Sequence, residues 1–163
     1  MNDLKIRPYQ DKDYNSISQM FEDFIDYLVI IDPINRIIKQ PEYGKNYLDK
    51  TIEEVRDNDG IFLVAEIDNV IVGLGAALIE ILSQKDLMEV LPHTPGRITE
   101  LFVTDQCRGK GIGRKIMEKL ENYLKQKGCS SIQIEVFAPN NKTRRVYEKL
   151  GYSDRNIDMM KVL

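Results

Sequence analysis

Leu101-Phe102-Val103-Thr104-Asp105-Gln106-Cys107-Arg108-Gly109-Lys110-Gly111-Ile112-Gly113 joins an apolar run to a glycine-rich turn, and the turn opens the most regular helical pattern in the chain. Residues 97–103 read as a strand. Over 111–127, Ile112, Ile116, Leu120, Tyr123 and Leu124 recur on one helical stripe, and Gly128 follows as a stop. Three glycines in five residues remove Cβ atoms where a ligand can approach backbone closely. Amides at a helix start lack intrahelical partners, and the helix dipole adds partial positive charge there. Arg108 and Lys110 add full charges, and a turn needed only for chain reversal would not call for them. The segment is therefore an anion site suited to phosphate or pyrophosphate. It is not a Walker A loop, because, counted from Gly109, Arg114 stands where that loop needs the Gly of its Gly-Lys-Ser/Thr. Arg114 also replaces the third Gly of a dinucleotide fingerprint beginning at Gly109.

Outward from this turn, the pattern predicts a strand over 4–8, a helix over 14–30 and a helix within 41–55. Ile17, Met20, Phe21, Phe24, Tyr27 and Leu28 line the first helix; Tyr47, Leu48, Ile52 and Val55 line the second. Asp68-Asn69 reads as the turn of a hairpin between strands 61–67 and 70–81. Gly73 and Gly75 inside the second of these point to a bulge or a close approach by another backbone. Residues 84–96 read as a loop, 131–137 as a strand, 141–150 as a helix ended by Gly151, and 159–163 as a last strand. Strands and helices in this order give a mixed sheet covered by helices, an α+β fold.

The 163 residues suit one compact domain spanning the whole chain, 1–163, with a core of its own. The 42% hydrophobic and 30% charged content is globular usage, and a net charge of −3 gives no general affinity for nucleic acid. Cys107 and Cys129 form no C-x-x-C pair, and the one histidine, His93, is too few for a standard zinc site, so no metal is expected. The N-terminus lacks the pattern of a signal peptide, and the apolar stretch 70–82 is short for a membrane span and holds Glu80. The expectation is a soluble cytoplasmic protein without membrane or nucleic-acid partners.

Arg108-Gly109-Lys110-Gly111-Ile112-Gly113 resembles the R/Q-x-x-G-x-G/A motif of the GNAT superfamily of N-acetyltransferases. The stretch Asn140-Asn141-Lys142-Thr143-Arg144-Arg145-Val146-Tyr147-Glu148-Lys149-Leu150-Gly151-Tyr152 is similar to that family's N-x-x-A-x-x-x-Y-E-K-L-G-F segment, with Thr143 for Ala and Tyr152 for Phe. The resemblance implies a mostly antiparallel mixed sheet of six to seven strands, flanked by four helices and splayed between its fourth and fifth strands. It implies acetyl-CoA as co-substrate: Leu101, Phe102 and Val103 would meet the pantetheine arm through backbone groups, and Arg108, Gly109, Lys110, Gly111, Ile112, Gly113 and Arg114 the pyrophosphate. Asn140 would be a further contact.

The implied reaction is direct attack of a primary amine on the thioester in a ternary complex. The acceptor is a small-molecule or peptide amine; family members that dimerise leave a homodimer open. Such an amine is mostly protonated at pH 7, so a base must take its proton. Glu100 is the first candidate. Strand alternation sets it on the face of Ile98 and Phe102, where a carboxylate calls for a reason. The plain alternative is a surface salt bridge. Glu80 and Glu135 are lesser candidates. Tyr147 stands at the position resembling the family's general acid. A phenol (~10) is a weaker acid than a thiol (~8.5), so Tyr147 would mainly stabilise developing charge. Asn140 and Asn141 also fit as plain helix caps. Asp26, Tyr27, Asp32 and Tyr43 are candidates for amine recognition, and His93 a lesser one. The other class of reading is a catalytically idle acyl-CoA-binding or regulatory domain of the same fold.

Overall fold

The computed structural model describes residues 3–162. Five strands form one sheet in the order β1 (Lys5–Pro8), β2 (Ile61–Ile67), β3 (Val70–Ile79), β4 (Pro95–Val103), β5 (Ser131–Ile134). The first four pair antiparallel, and β5 runs parallel to β4. The helices are α1 (Tyr14–Ile31), α2 (Tyr43–Asp57), α3 (Ile112–Gln126) and α4 (Asn141–Lys149).

Alternation along β2 divides the core in two. Phe62 and Val64 face α1 and α2 with Ile17, Met20, Phe21, Leu48, Leu74 and Ala76. Leu63 and Ala65 face α3 with Ile116, Met117, Leu120, Leu124 and, from α4, Tyr147. The sheet is thus the middle of three layers. The β2–β3 turn has both central residues at positive φ, Asp68 at 51° and Asn69 at 65°, which matches the right-handed twist of the strands. Gly73 and Gly75 do answer to a close approach, but by side chains rather than backbone alone. A Cβ on Gly75 would lie 2.5 Å from Ile116 Cγ2, so α3 sits directly on β3. An irregularity also falls there, since Ala65 pairs with Gly73 and Glu66 with Ile71.

A second bulge has larger consequences. Ala77 pairs with Ile98 but Ala76 with Glu100, leaving Thr99 as an extra residue on β4. A bulge bends its strand and sharpens the local twist. Pairing with β5 ends at Ile98↔Ile134, one residue before the bulge, while β4 continues to Val103. Beyond Ile98 the fourth strand therefore runs on without a β5 partner, at the place where the splay was expected.

The strand count is lower than expected. The described residues hold five strands, not six or seven. Residues 159–162 form no strand, and Leu163 lies outside the described residues. Ile157, Met159, Met160 and Val162 are exposed, so this segment buries no face that would fix a register. Strand β5 stops at Ile134 instead of 137, where its pairing with β4 ends, and β3 stops at Ile79 instead of 81.

Candidate functional site

The turn after β4 places Gly109 at φ +75° and Gly111 at φ +78°, and a Cβ built on either meets no atom within 4 Å. Gly111 is the N-cap of α3, and no side chain caps that end. The first helical bond is Lys115 N–H to Gly111 C=O, so the amides of Ile112, Gly113 and Arg114 precede the ladder without intrahelical acceptors. Open space above left-handed glycines and uncapped amides is what a bound pyrophosphate requires, and here they coincide. Lys110 and Arg114 are exposed beside them.

Arg108 turns back toward the sheet. Its Nε donates to Val103 C=O at 2.9 Å and its Nη1 pairs with Asp105 at 2.6 Å. Its guanidinium lies 5.6 Å from the Phe102 ring centroid and 6.0 Å from that of Tyr27. Leu101 and Val103 pack toward the α3 core, Phe102 toward the α1–α2 core. Beyond Ile98 this end of β4 has no β5 partner, leaving an open edge beside the turn.

Glu100 is only 8% exposed. It does not share a face with Ile98, contrary to simple alternation. Ile98 belongs to the α3 core, whereas Glu100 pairs with Ala76 of the α1–α2 core, because the extra Thr99 shifts the count by one. It is not the surface salt bridge that its strand position also allowed. Its Oε1 accepts a hydrogen bond from Tyr47 Oη at 2.8 Å. Burial pushes its carboxyl up to about 7, with Tyr47 pulling down and Glu54 adding to the rise.

Tyr147 is buried in the α3 core, 6.0 Å from Tyr152 between ring centroids. Burial first, then the charge of Glu100, pushes its hydroxyl up to about 12. Tyr147 and Glu100 thus lie within electrostatic range although they belong to opposite faces of the sheet. Asn140 caps α4 by accepting from Thr143 N–H at 3.3 Å.

The remaining candidates are drawn elsewhere. Glu80 and Glu135 both bind Arg97, near the far end of β4. Asp32 accepts from the amides of Ile34, Arg36 and Ile37, which holds the loop after α1. Asp26 pairs with Lys39, and His93 Nδ1 meets Leu91 C=O at 2.8 Å. Tyr43 stacks on Tyr47 at 5.1 Å, and burial with the charges of Glu100 and Glu22 pushes it up to about 12.

The model of the acetyltransferase (GNAT) family matches residues 19–152, which take in the turn, the open strand edge and α4. The chain belongs to the GNAT acetyltransferase family. A protein of Methanocaldococcus jannaschii named as an uncharacterised N-acetyltransferase is 38% identical over 97 residues, 59% of this chain and 54% of that one. The chain thus spans about half the length of this curated relative. The glucosamine 6-phosphate N-acetyltransferase of Arabidopsis thaliana is 27% identical over 113 residues, 69% of this chain and 73% of that one. Among solved structures, a tetramutant of a Bacillus halodurans protein superposes with TM-score 0.81 at 20% identity, covering 98% of this chain and 99% of that chain.

Within this GNAT chain, the side chain that sequence reading passed over is Tyr47. It reads as one more member of an apolar helical stripe, with Leu48, Ile52 and Val55. The usable signal was Tyr43 and Tyr47 four residues apart, two hydroxyls on a face meant for the core.

Proposed function

We propose that this GNAT protein is an acetyl-CoA-dependent N-acetyltransferase that acts on a primary amine by direct attack in a ternary complex. The observation that carries the reading is the meeting, at one end of β4, of an uncapped helix start, an unpaired strand edge and a buried carboxylate. Acetyl-CoA would supply an acyl group already activated as a thioester.

The amides of Ile112, Gly113 and Arg114 would hold its pyrophosphate, with Gly109 and Gly111 giving clearance and Lys110 adding charge; Arg108 would join them only by leaving Asp105 and Val103 C=O. The unpaired edge of Leu101, Phe102 and Val103 offers backbone groups to an extended amide-bearing chain, in the manner of an added strand. Asn140 is a proposed further contact through atoms not used in its cap.

Glu100, pushed up to about 7, is matched to accept a proton near neutral pH. An ordinary carboxylate near 4.3 would be a much weaker base toward an ammonium near 10.4. Tyr147, pushed up to about 12, keeps its O–H across the physiological range. It is then a hydrogen-bond donor to developing negative charge rather than a source of a full proton. A preorganised donor in a site closed to water contributes about 3 kcal/mol to such a step. That the Arabidopsis relative is named for an amino-sugar phosphate supports an amine acceptor.

Thiol release from acetyl-CoA across a panel of primary amines, together with calorimetric CoA binding, tests the proposal. The expected result is amine-dependent release that Tyr147→Phe lowers more than it lowers CoA affinity. CoA binding with no amine raising release above buffer would leave only the acyl-CoA-binding reading.

A further inference from the structure

We infer that Tyr47 is the positioning residue of the proposed base: its hydroxyl, presented by α2, orients the Glu100 carboxylate toward the gap and holds it ready to ionise. The inference rests on the reading of Glu100 as that base.

The geometry fixes the donor before the acceptor is considered. Tyr47 lies between Phe21, edge-on at 4.9 Å, and Tyr43, stacked at 5.1 Å. A ring held on both sides has little rotamer freedom, so its hydroxyl is aimed at Glu100 rather than searching for it. The 2.8 Å contact bridges α2 and β4 through residues 53 apart in sequence.

The surroundings of Glu100 explain why a neutral donor matters. Among the described residues no Lys or Arg forms an ion pair with it. From α2 it faces Tyr47, Glu54 and Tyr43; from α4 it faces Tyr147. β3 sets Ala76 opposite it, and α1 contributes Phe21 against Tyr47 while Glu22 acts on Tyr43. A guanidinium in place of Tyr47 would stabilise the carboxylate so strongly that it would no longer accept protons near pH 7. An apolar residue would leave the charged form with no donor in a buried site. A tyrosine lies between these limits: it favours the ionised form without neutralising it.

Tyr47→Phe keeps the ring between its neighbours and removes only the hydroxyl. With that donor gone, the ionised form of Glu100 loses support and its midpoint must rise. In the protein labelled with carboxyl-13C glutamate, the Glu100 resonance is identified by its loss in Glu100→Gln and titrated in the parent and in Tyr47→Phe. The expected upward move is about one pH unit, a tenfold change in the protonation equilibrium. With the fastest amine of the panel, the acid limb of kcat/KM should move the same way in Tyr47→Phe and disappear in Glu100→Gln. An unmoved carboxyl midpoint in Tyr47→Phe overturns the inference. A limb that Glu100→Gln removes but Tyr47→Phe leaves in place overturns the role of Tyr47 alone. A limb indifferent to both variants overturns Glu100 as the base, even where the carboxyl midpoint has moved.

Discussion

Gly109 and Gly111 differ from Gly73 and Gly75 in what their missing Cβ would touch. The latter two face Ile116 and, for Gly75, Leu120, so they are small because a helix presses on them. The former two face nothing within 4 Å and sit at positive φ, so packing does not account for them. Gly111→Glu should therefore abolish measurable CoA binding in calorimetry, a loss of at least about 100-fold. It places bulk and negative charge among amides that suit an anion. Native-like circular dichroism should persist, because a single left-handed residue costs only about 1–2 kcal/mol. Normal CoA affinity in that variant would remove the cradle argument. These glycines were legible in sequence because their spacing and flanking charges carry the chemistry. The orientation of Arg108 was not: its contacts with Phe102, Tyr27 and Val103 C=O depend on how the turn closes over the strand.

At the scale of elements, one extra residue decides the most. Counting along β4 assigns Ile98 and Glu100 to one face, and the bulge at Thr99 separates them. Nothing in Arg97-Ile98-Thr99-Glu100-Leu101 signals a bulge, because bulges answer to the partner strand and not to local composition. Helices α1, α2, α3 and α4 and the β2–β3 hairpin were readable because periodicity and turn chemistry are local. The ends of β3 and β5 and the expected strand over 159–163 were not, because they depend on whether a neighbour is there to pair with. Deleting Thr99 would regularise β4 while keeping Glu100 opposite Ala76. Pairing with β5 should then continue past Ile98 and close the gap. Hydrogen exchange followed by mass spectrometry should slow across residues 100–103, and CoA binding should weaken with it. Exchange unchanged by the deletion would show that the bulge does not hold the gap open.

Across the molecule, the first strand is tied to the rest by a part-buried ion cluster. Arg7 donates to both carboxylate oxygens of Asp13, at 2.7 and 2.9 Å, and to Glu66 on β2. Its side chain is 10% exposed and that of Asp13 4%. The bond from Arg7 holds Asp13 below the usual carboxylate range, so the stability it contributes is present at neutral pH and is lost as pH falls through that lowered value. Arg7→Ala should cost about 3–5 kcal/mol in urea unfolding at pH 7, because two carboxylates would be left without their cation. A cost below about 1 kcal/mol would mean that water replaces the arginine without penalty.

The three-layer arrangement has a further consequence for how such a protein can change. Under the proposed mechanism, Glu100 and Tyr47 belong to the chamber of α1 and α2, whereas Tyr147 and the anion cradle belong to that of α3 and α4. The sheet is the septum between them, and the gap beyond Ile98 is its doorway. Substitutions in the first chamber can then retune which amine is accepted while the donor half stays as it is.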